Sequence, residues 1–517
     1  MSTASVAIET PRDAVTTRNW EKIGNAVMLL LYSGVVLFTV RYHEKWADEA
    51  QAWLIARDLD LKTIWFHELR YEGSPGLWHT MLWVAQHVFH LPYAALGYIG
   101  VAFAIAGIAV LLYKSPFPWY VRWPLAFTYV MVYQYAAIAR QYTMLPLLCF
   151  LVAILYKDVQ HPGRMTAVLV LLANTSLHGA LLAGCFALLY LMEAIKAWPN
   201  LDEKLRNRYF ICAAVMVFAF LFLFIILKPP GDTEEFVIKR LNAQLPEAVK
   251  QQIHMPTPQR KGSALISGAY LDYLVPSLLF LALTVAWFFT RRRLLTFALP
   301  AGMLIALYSA VHGYPHHHGA LVIATITALW IAWPTESEQH SFATRQRWEL
   351  RGMVGLLLVF CAVNICDAAV VIRREYLYPY SGAKDAADYL RSVGAERFPM
   401  FGFVYGVAGV QAYFDHNIFV NMPTTYFHHG WPLQGKELNP DELFRVKPEY
   451  VVVYSVEPEL MVKIGVIELT SRGYDFVHFS DGYYMYKRAV YQRECYFIFR
   501  RVRPTDVQTP PTSNPDK

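Results

Sequence analysis

Apolar positions in this chain come in long blocks. Over residues 24–372 one apolar run follows another, with Trp, Tyr and Arg gathered at the ends and short polar connections between. Runs of this kind are helices crossing a bilayer, whose hydrocarbon layer takes about 20 residues. The pattern predicts about eleven spans, at 24–40, 94–113, 123–138, 141–156, 165–177, 179–194, 209–227, 271–289, 294–311, 319–334 and 352–372. The segment 76–90 breaks the series, being short and carrying His79, Gln86, His87 and His90. It is expected to be a re-entrant or interfacial piece of the first external loop, which membrane depth tolerates when protein buries it.

Past residue 372 the pattern changes to short β-rich runs at 399–404, 450–454, 474–479, 483–486 and 496–499, alternating with helical stretches at 383–393 and 458–471. That predicts a soluble α/β domain over 373–503, followed by a polar, proline-containing tail at 504–517 expected to be disordered. Gly402, Gly406 and Gly409 follow a strand but lack the spacing of a dinucleotide site. No tandem repeat is present.

Composition agrees. Of 517 residues, 56% are apolar with glycine left out and 17% are charged, against about 45–50% (glycine included) and about 25% in soluble domains. This excludes a string of soluble domains. The formal charge of +6 is spread by topology, which argues against a nucleic-acid partner. Basic residues concentrate in the connections 114–122, 157–164, 196–208 and 291–293, and alternation puts all four on one side, which is then the cytoplasm. The tail 1–23 is therefore expected inside. The loops 41–93 and 228–270, the turns at 140–142, 178 and 312–318, and the 373–503 domain are expected outside. Residues 1–23 have no apolar core and read as no secretory signal, so the first span is expected to direct insertion. Five of the six cysteines lie in apolar segments and Cys495 in the soluble domain, with no disulfide framework or zinc spacing.

The candidate chemistry falls on the external side. A helix beginning near Trp46 would put Trp46, Ala50, Trp53 and Leu54 on one face and Asp48, Gln51 and Arg57 away from it, so it is expected to lie flat at the membrane surface. Asp48 and Glu49 fall in its first turn. There they either complement the helix dipole, worth about 0.3–1 kcal/mol, or carry chemistry, and the same loop supplies a further carboxylate at Glu72. Arg140, flanked by Tyr133, Tyr135 and Tyr142, either snorkels to head groups or offers its fork to two phosphate oxygens. The polar apex at 174–179, with Asn174 and His178, faces a cavity or serves helix packing. The run His312, His316, His317, His318 suggests a metal or hydrogen bonding to a sugar or phosphate, although adjacent histidines point in different directions. Trp46, Trp53, Trp65 and Trp78 are either sugar-stacking rings or interfacial anchors.

On the segments ADEAQAWLIARD (47–58), YEGSPGLWH (71–79) and YAAIARQYTM (135–144), followed by an external α/β domain, the sequence resembles the glycosyltransferase-C superfamily. The branch most similar holds the bacterial lipid-A aminoarabinose transferases and protein O-mannosyltransferases. The resemblance implies a multi-pass enzyme of the bacterial cytoplasmic membrane that moves a sugar from a polyprenyl phosphate to an acceptor hydroxyl of a glycolipid, glycan or protein, with inversion, on the periplasmic face. It implies that Asp48, with Glu49 beside it, is the catalytic carboxylate. Arg140, Arg57 and Tyr142 would then meet the donor phosphate, with His178, Asn174, His316, His318 and Trp78 around the substrate. Glu72 matches a metal-site position, but Gly73 and Ser74 separate it from Pro75 where that branch has a Lys before the Pro. No cofactor is required on this reading, and a divalent metal stays open. A phosphate ester leaves as a weakly basic anion, so a second acid is not needed. The competing classes are a transporter or flippase, for which no matched pair of broken helices is present, and a non-catalytic scaffold.

Overall fold

The computed structural model describes residues 11–228, 230, 262–310, 315–427, 443, 445–456 and 467–502. Five helices are long and apolar enough to cross a membrane: Asn19–Tyr42, Tyr93–Lys114, Leu177–Asn200, Glu203–Ile226 and Thr344–Leu377. Five shorter apolar helices, Gln141–Leu155, Pro162–Ala173, Leu274–Thr290, Leu294–Ser309 and His318–Ala332, occupy further expected spans. At about 1.5 Å per residue they fall short of a hydrocarbon layer of about 30 Å. Every residue of His318–Ala332 is buried, which explains an all-round apolar sequence without lipid contact.

The expected span 123–138 is not one helix. Helix Trp119–Ala126 contains Pro124 and stops, a π-helical turn follows at Val130–Gln134, and the chain runs irregularly to Arg140. Proline lacks the amide hydrogen that a continuing helix uses. Residues 130–139 are all buried, so this unwound backbone lies inside protein, the condition under which membrane depth allows it. The first helix, α1 (Pro11–Tyr42), starts well before the expected 24–40. The segment 76–90 forms helix Leu77–His87, only about 16 Å long.

Helix α2 (Ala47–Asp58) also departs from expectation. Its expected polar face is enclosed by protein, with Ala47 and every residue from Glu49 to Ala56 buried. Helix Leu77–His87 packs on one side and the short helix Ala408–Gln411 of the soluble domain on another. The polar face is covered by contacts that a local pattern does not contain: Gln51 accepts the Phe427 amide hydrogen at 2.9 Å.

The soluble domain is built on a four-stranded sheet in the order β1-β2-β6-β3, from β1 (Met400–Phe403), β2 (Tyr450–Ser455), β3 (Tyr474–Ser480) and β6 (Cys495–Arg501), with β1 and β2 parallel and the rest antiparallel. Helix Ala383–Ser392 lies against it. The expected helix 458–471 is seen only as Ile467–Ser471, the remainder lying outside the described residues, as do 1–10, most of 228–270, His312 and 504–517. A separate hairpin, β4 (Tyr483–Tyr486) with β5 (Ala489–Arg493), leaves this sheet and joins the membrane core through Tyr484 and Met485. Lys487, at its turn, pairs with Asp272 and, at 3.4 Å, with Asp367, and Arg488 meets Asp367 at 2.6 Å. The β5 strand was not expected from the sequence.

Candidate active site

The first turn of α2 sends its two carboxylates in different directions, as successive helical residues about 100° apart must. Asp48 meets Arg140 at 2.8 Å, with 24% and 16% of the two side chains exposed. Glu49 is wholly buried. One of its oxygens accepts the Ala139 amide hydrogen at 2.7 Å; the other bonds His43 Nε2 at 2.9 Å and the Trp46 amide at 3.3 Å. The carboxylate therefore fixes the turn that carries Arg140 and the entry to the helix that carries Asp48.

Behind Glu49 stands a network that the sequence did not reveal. His43 Nδ1 lies 3.0 Å from Glu375 on the last long helix, and the Tyr133 hydroxyl donates to the same Glu375 oxygen. Burial alone would lower the His43 pKa, but the carboxylates of Glu49 and Glu375 on either side raise it to about 10. His43 is thus an imidazolium held between two acids, and the same pairing keeps Glu49 below its ordinary value despite burial. A histidine just past a span, a Glu inside an Arg-rich helix end and a tyrosine in an apolar run carry no joint signal in sequence.

Arg140 also stacks over Trp46 and Tyr142, at 5.6 and 5.5 Å from the ring centroids. Tyr142 is the hub for the histidines: its ring lies 5.6 Å from His178, 6.0 Å from His316 and 5.9 Å from His317. His317, in the expected histidine run, sits 4.5 Å from His178. Burial, with Arg140 and the neighbouring rings adding to it, holds the His316 and His317 pKa values well below the ordinary range, so both are neutral near pH 7. Their backbone is pinned by Tyr135, which donates to the His316 carbonyl at 3.1 Å, and Tyr308, which donates to that of His317 at 2.9 Å.

Other expected residues stand elsewhere. Arg57 lies nine residues beyond Asp48, about 13 Å along α2, where it pairs with Asp58 at 2.7 Å and donates to the Phe414 carbonyl. His318 turns to the hairpin, its Nδ1 at 2.8 Å from the Tyr486 hydroxyl. Asn174 bonds its own helix at Val170, and its carbonyl accepts the Leu77 amide hydrogen at 3.2 Å. Trp78 is fully buried, leaving no ring face for a sugar. Glu72 accepts from Gln51 Nε2 at 3.0 Å, and among the described residues no three His, Cys, Asp or Glu side chains are grouped to hold a metal ion.

The soluble domain contributes directly. Tyr484 of β4 lies 4.9 Å from the Trp46 ring. Glu494, between β5 and β6, accepts the Ala47 amide hydrogen at 3.1 Å and caps the start of α2. Burial pushes the Glu494 carboxyl up to about 8; Ser381 and the Ala47 amide oppose this, while Asp48 and Glu49 add to it.

Apolar helices long enough to cross a membrane thus surround a buried, unwound turn, with α2 and the α/β domain packed beside it. Among solved structures the chain superposes on ArnT from Cupriavidus metallidurans bound to undecaprenyl phosphate, with a TM-score of 0.54 and 12% identity, covering 92% of this chain and 98% of that one. ArnT from the same organism in the apo state gives 0.49 at the same identity and coverage. No protein-family model and no curated protein matches the sequence, so the likeness is one of fold.

Proposed function

We propose that the protein is a glycosyltransferase of the bacterial cytoplasmic membrane that moves a sugar from a polyprenyl phosphate to a hydroxyl of a glycolipid, glycan or protein acceptor on the external face. The observation that carries this is the partly exposed Asp48–Arg140 pair at 2.8 Å, set on a fold shared with a transferase whose structure holds undecaprenyl phosphate. A lone carboxylate beside a fixed guanidinium is what transfer from a phosphate ester needs: one base and one phosphate ligand.

In the resting protein Arg140 neutralises Asp48. A donor phosphate competes for the guanidinium fork, which suits two phosphate oxygens, and as it binds it releases Asp48 to act as a base. The acceptor oxygen attacks the sugar carbon from the face opposite the phosphate, and the carbon–oxygen bond to phosphate breaks. Polyprenyl phosphate leaves with the electron pair, and the acceptor proton passes to Asp48. Arg140 holds the developing phosphate charge. Glu49, enclosed and fully engaged, positions this pair and touches no substrate. Glu72, which accepts from Gln51 Nε2, is given no part in these steps. The test is turnover and donor binding measured side by side on Asp48→Asn: retained binding with lost turnover supports the assignment, and retained turnover overturns it.

A further inference from the structure

At the end of the membrane bundle away from Asp48 lies a cavity of about 870 Å³ bordered by Arg291, Arg292, Arg293, Lys196 and Arg345. His178 and Glu193, on one helix, mark the two ends and stand roughly 22 Å apart along it. The cavity is thus a site separate from the one described above.

Its charges are unequally compensated. Glu193 serves both Lys196 and Arg293, each at 3.0 Å, and Glu349 takes Arg345 at 2.9 Å. Among the described residues, neither Arg291 nor Arg292 has an ion-pair partner. Arg291 is instead braced by aromatic faces, 4.7 Å over Phe342 and 5.8 Å over Trp287. Arg292 adopts φ 54°, a left-handed conformation that suits glycine and costs another residue roughly 1–2 kcal/mol. The lining also includes the apolar side chains of Phe289 and Leu295, 70% and 55% exposed.

We propose that this cavity binds an acidic phospholipid, with the head-group phosphate on Arg291 and Arg292 and the acyl chains along Phe289 and Leu295. A cationic rim beside exposed apolar side chains matches an amphiphile and gives a free anion only half a site. The volume lies within the range of about 300–1,000 Å³ usual for ligand sites, and basic pockets between membrane helices are suited to phosphate head groups.

Native mass spectrometry of the full chain, given equal amounts of phosphatidylglycerol and phosphatidylethanolamine with identical acyl chains, tests this. Phosphatidylglycerol should be retained preferentially. Arg292→Gly should weaken its retention about five-fold, the effect of one cation near a lipid surface. This variant is chosen because glycine relieves the left-handed strain, so its melting temperature should hold or rise and misfolding cannot mimic the result. Arg164→Ala removes an exposed basic residue outside the cavity and should leave retention unchanged. Equal retention of the two lipids, or equal effects of Arg292→Gly and Arg164→Ala, would overturn the proposal. So would displacement of phosphatidylglycerol by low millimolar inorganic phosphate, which would make the site one for a free anion.

Discussion

Glu49 and Ala139 are 90 residues apart in the chain, yet the Glu49 carboxylate accepts the Ala139 amide hydrogen at 2.7 Å. That bond ties the acidic helix to the turn carrying Arg140, so the distance between Asp48 and Arg140 depends on a residue that meets neither solvent nor substrate. Glu49→Gln would put an amide where the His43 imidazolium needs an acceptor, and a buried group left without its charged partner costs about 1–3 kcal/mol or more. The expected outcome is a lower melting temperature together with weaker donor binding.

Asp48→Asn should behave differently. Removal of a general base typically costs about 100-fold or more in turnover, while Arg140, freed of its carboxylate, should bind the donor phosphate at least as well. Isothermal titration with a polyprenyl phosphate beside a turnover assay separates the two effects. Near-normal turnover in Asp48→Asn would place the base elsewhere.

Stability should fall as the solution becomes alkaline. Glu494 is raised by burial from 4.5 to about 8, so the folded protein holds a proton that the unfolded chain gives up at lower pH. Its contribution is complete below 4.5 and is lost as pH rises through about 8. His43 goes from 6.5 to about 10, so its contribution is complete below 6.5 and lost through about 10. Thermal melts between pH 6 and 10.5 should show a decline in two stages. Glu494→Gln should remove the decline below pH 6.5 and lessen it between 6.5 and 8, where His43 still contributes; an unchanged profile would mean that Glu494 is charged in the folded protein at neutral pH.

Gly319 admits the Tyr135 ring, and a Cβ there would lie 2.6 Å from it. Because Tyr135 pins the His316 carbonyl and stacks on Tyr142 at 5.7 Å, Gly319→Ala should disturb the histidine cluster as well as the packing. Overpacking typically costs about 1–3 kcal/mol. A melting temperature and donor affinity equal to those of the parent would show that the ring can yield.

The external placement of the soluble domain can be checked by cysteine labelling in intact cells. A cysteine replacing Asp415, whose side chain is 97% exposed, should react with an impermeant reagent, and one replacing Arg292 should not. Labelling at Arg292 would reverse the orientation drawn from the basic connections.

Most of the apolar helices were legible because lipid and core both demand long apolar runs, and the strands of the soluble domain because their side chains cluster in short β-rich stretches. Three features were not. Pro124 was visible, but whether a proline merely kinks a span or ends it depends on whether protein surrounds the unwound turn, here at 130–139. The burial of α2 depends on Phe427 and Glu494, contacts 376 and 447 residues away, so its polar face looked like one meant for water. The pairing of Asp48 with Arg140 joins two residues that the sequence had singled out separately, whereas His43, Glu375 and Tyr133 were individually bland. Arg57 and Trp78 were chosen by residue type, and the fold turns both toward structural partners.

The bond from the Ala47 amide to Glu494 also sets a schedule for biosynthesis. With 447 residues between them and synthesis at about 5–20 residues per second, roughly 20 to 90 seconds pass between the emergence of the two partners. During that interval α1 and the turn bearing Arg140 are already made, while α2 has neither its cap nor the hairpin that covers Trp46. The nascent chain is therefore unfinished at α2, and the proposed site is complete only when the hairpin docks. A premature stop before Tyr483 would leave a chain that inserts normally, exposes the uncapped start of α2 and is open to quality-control proteases.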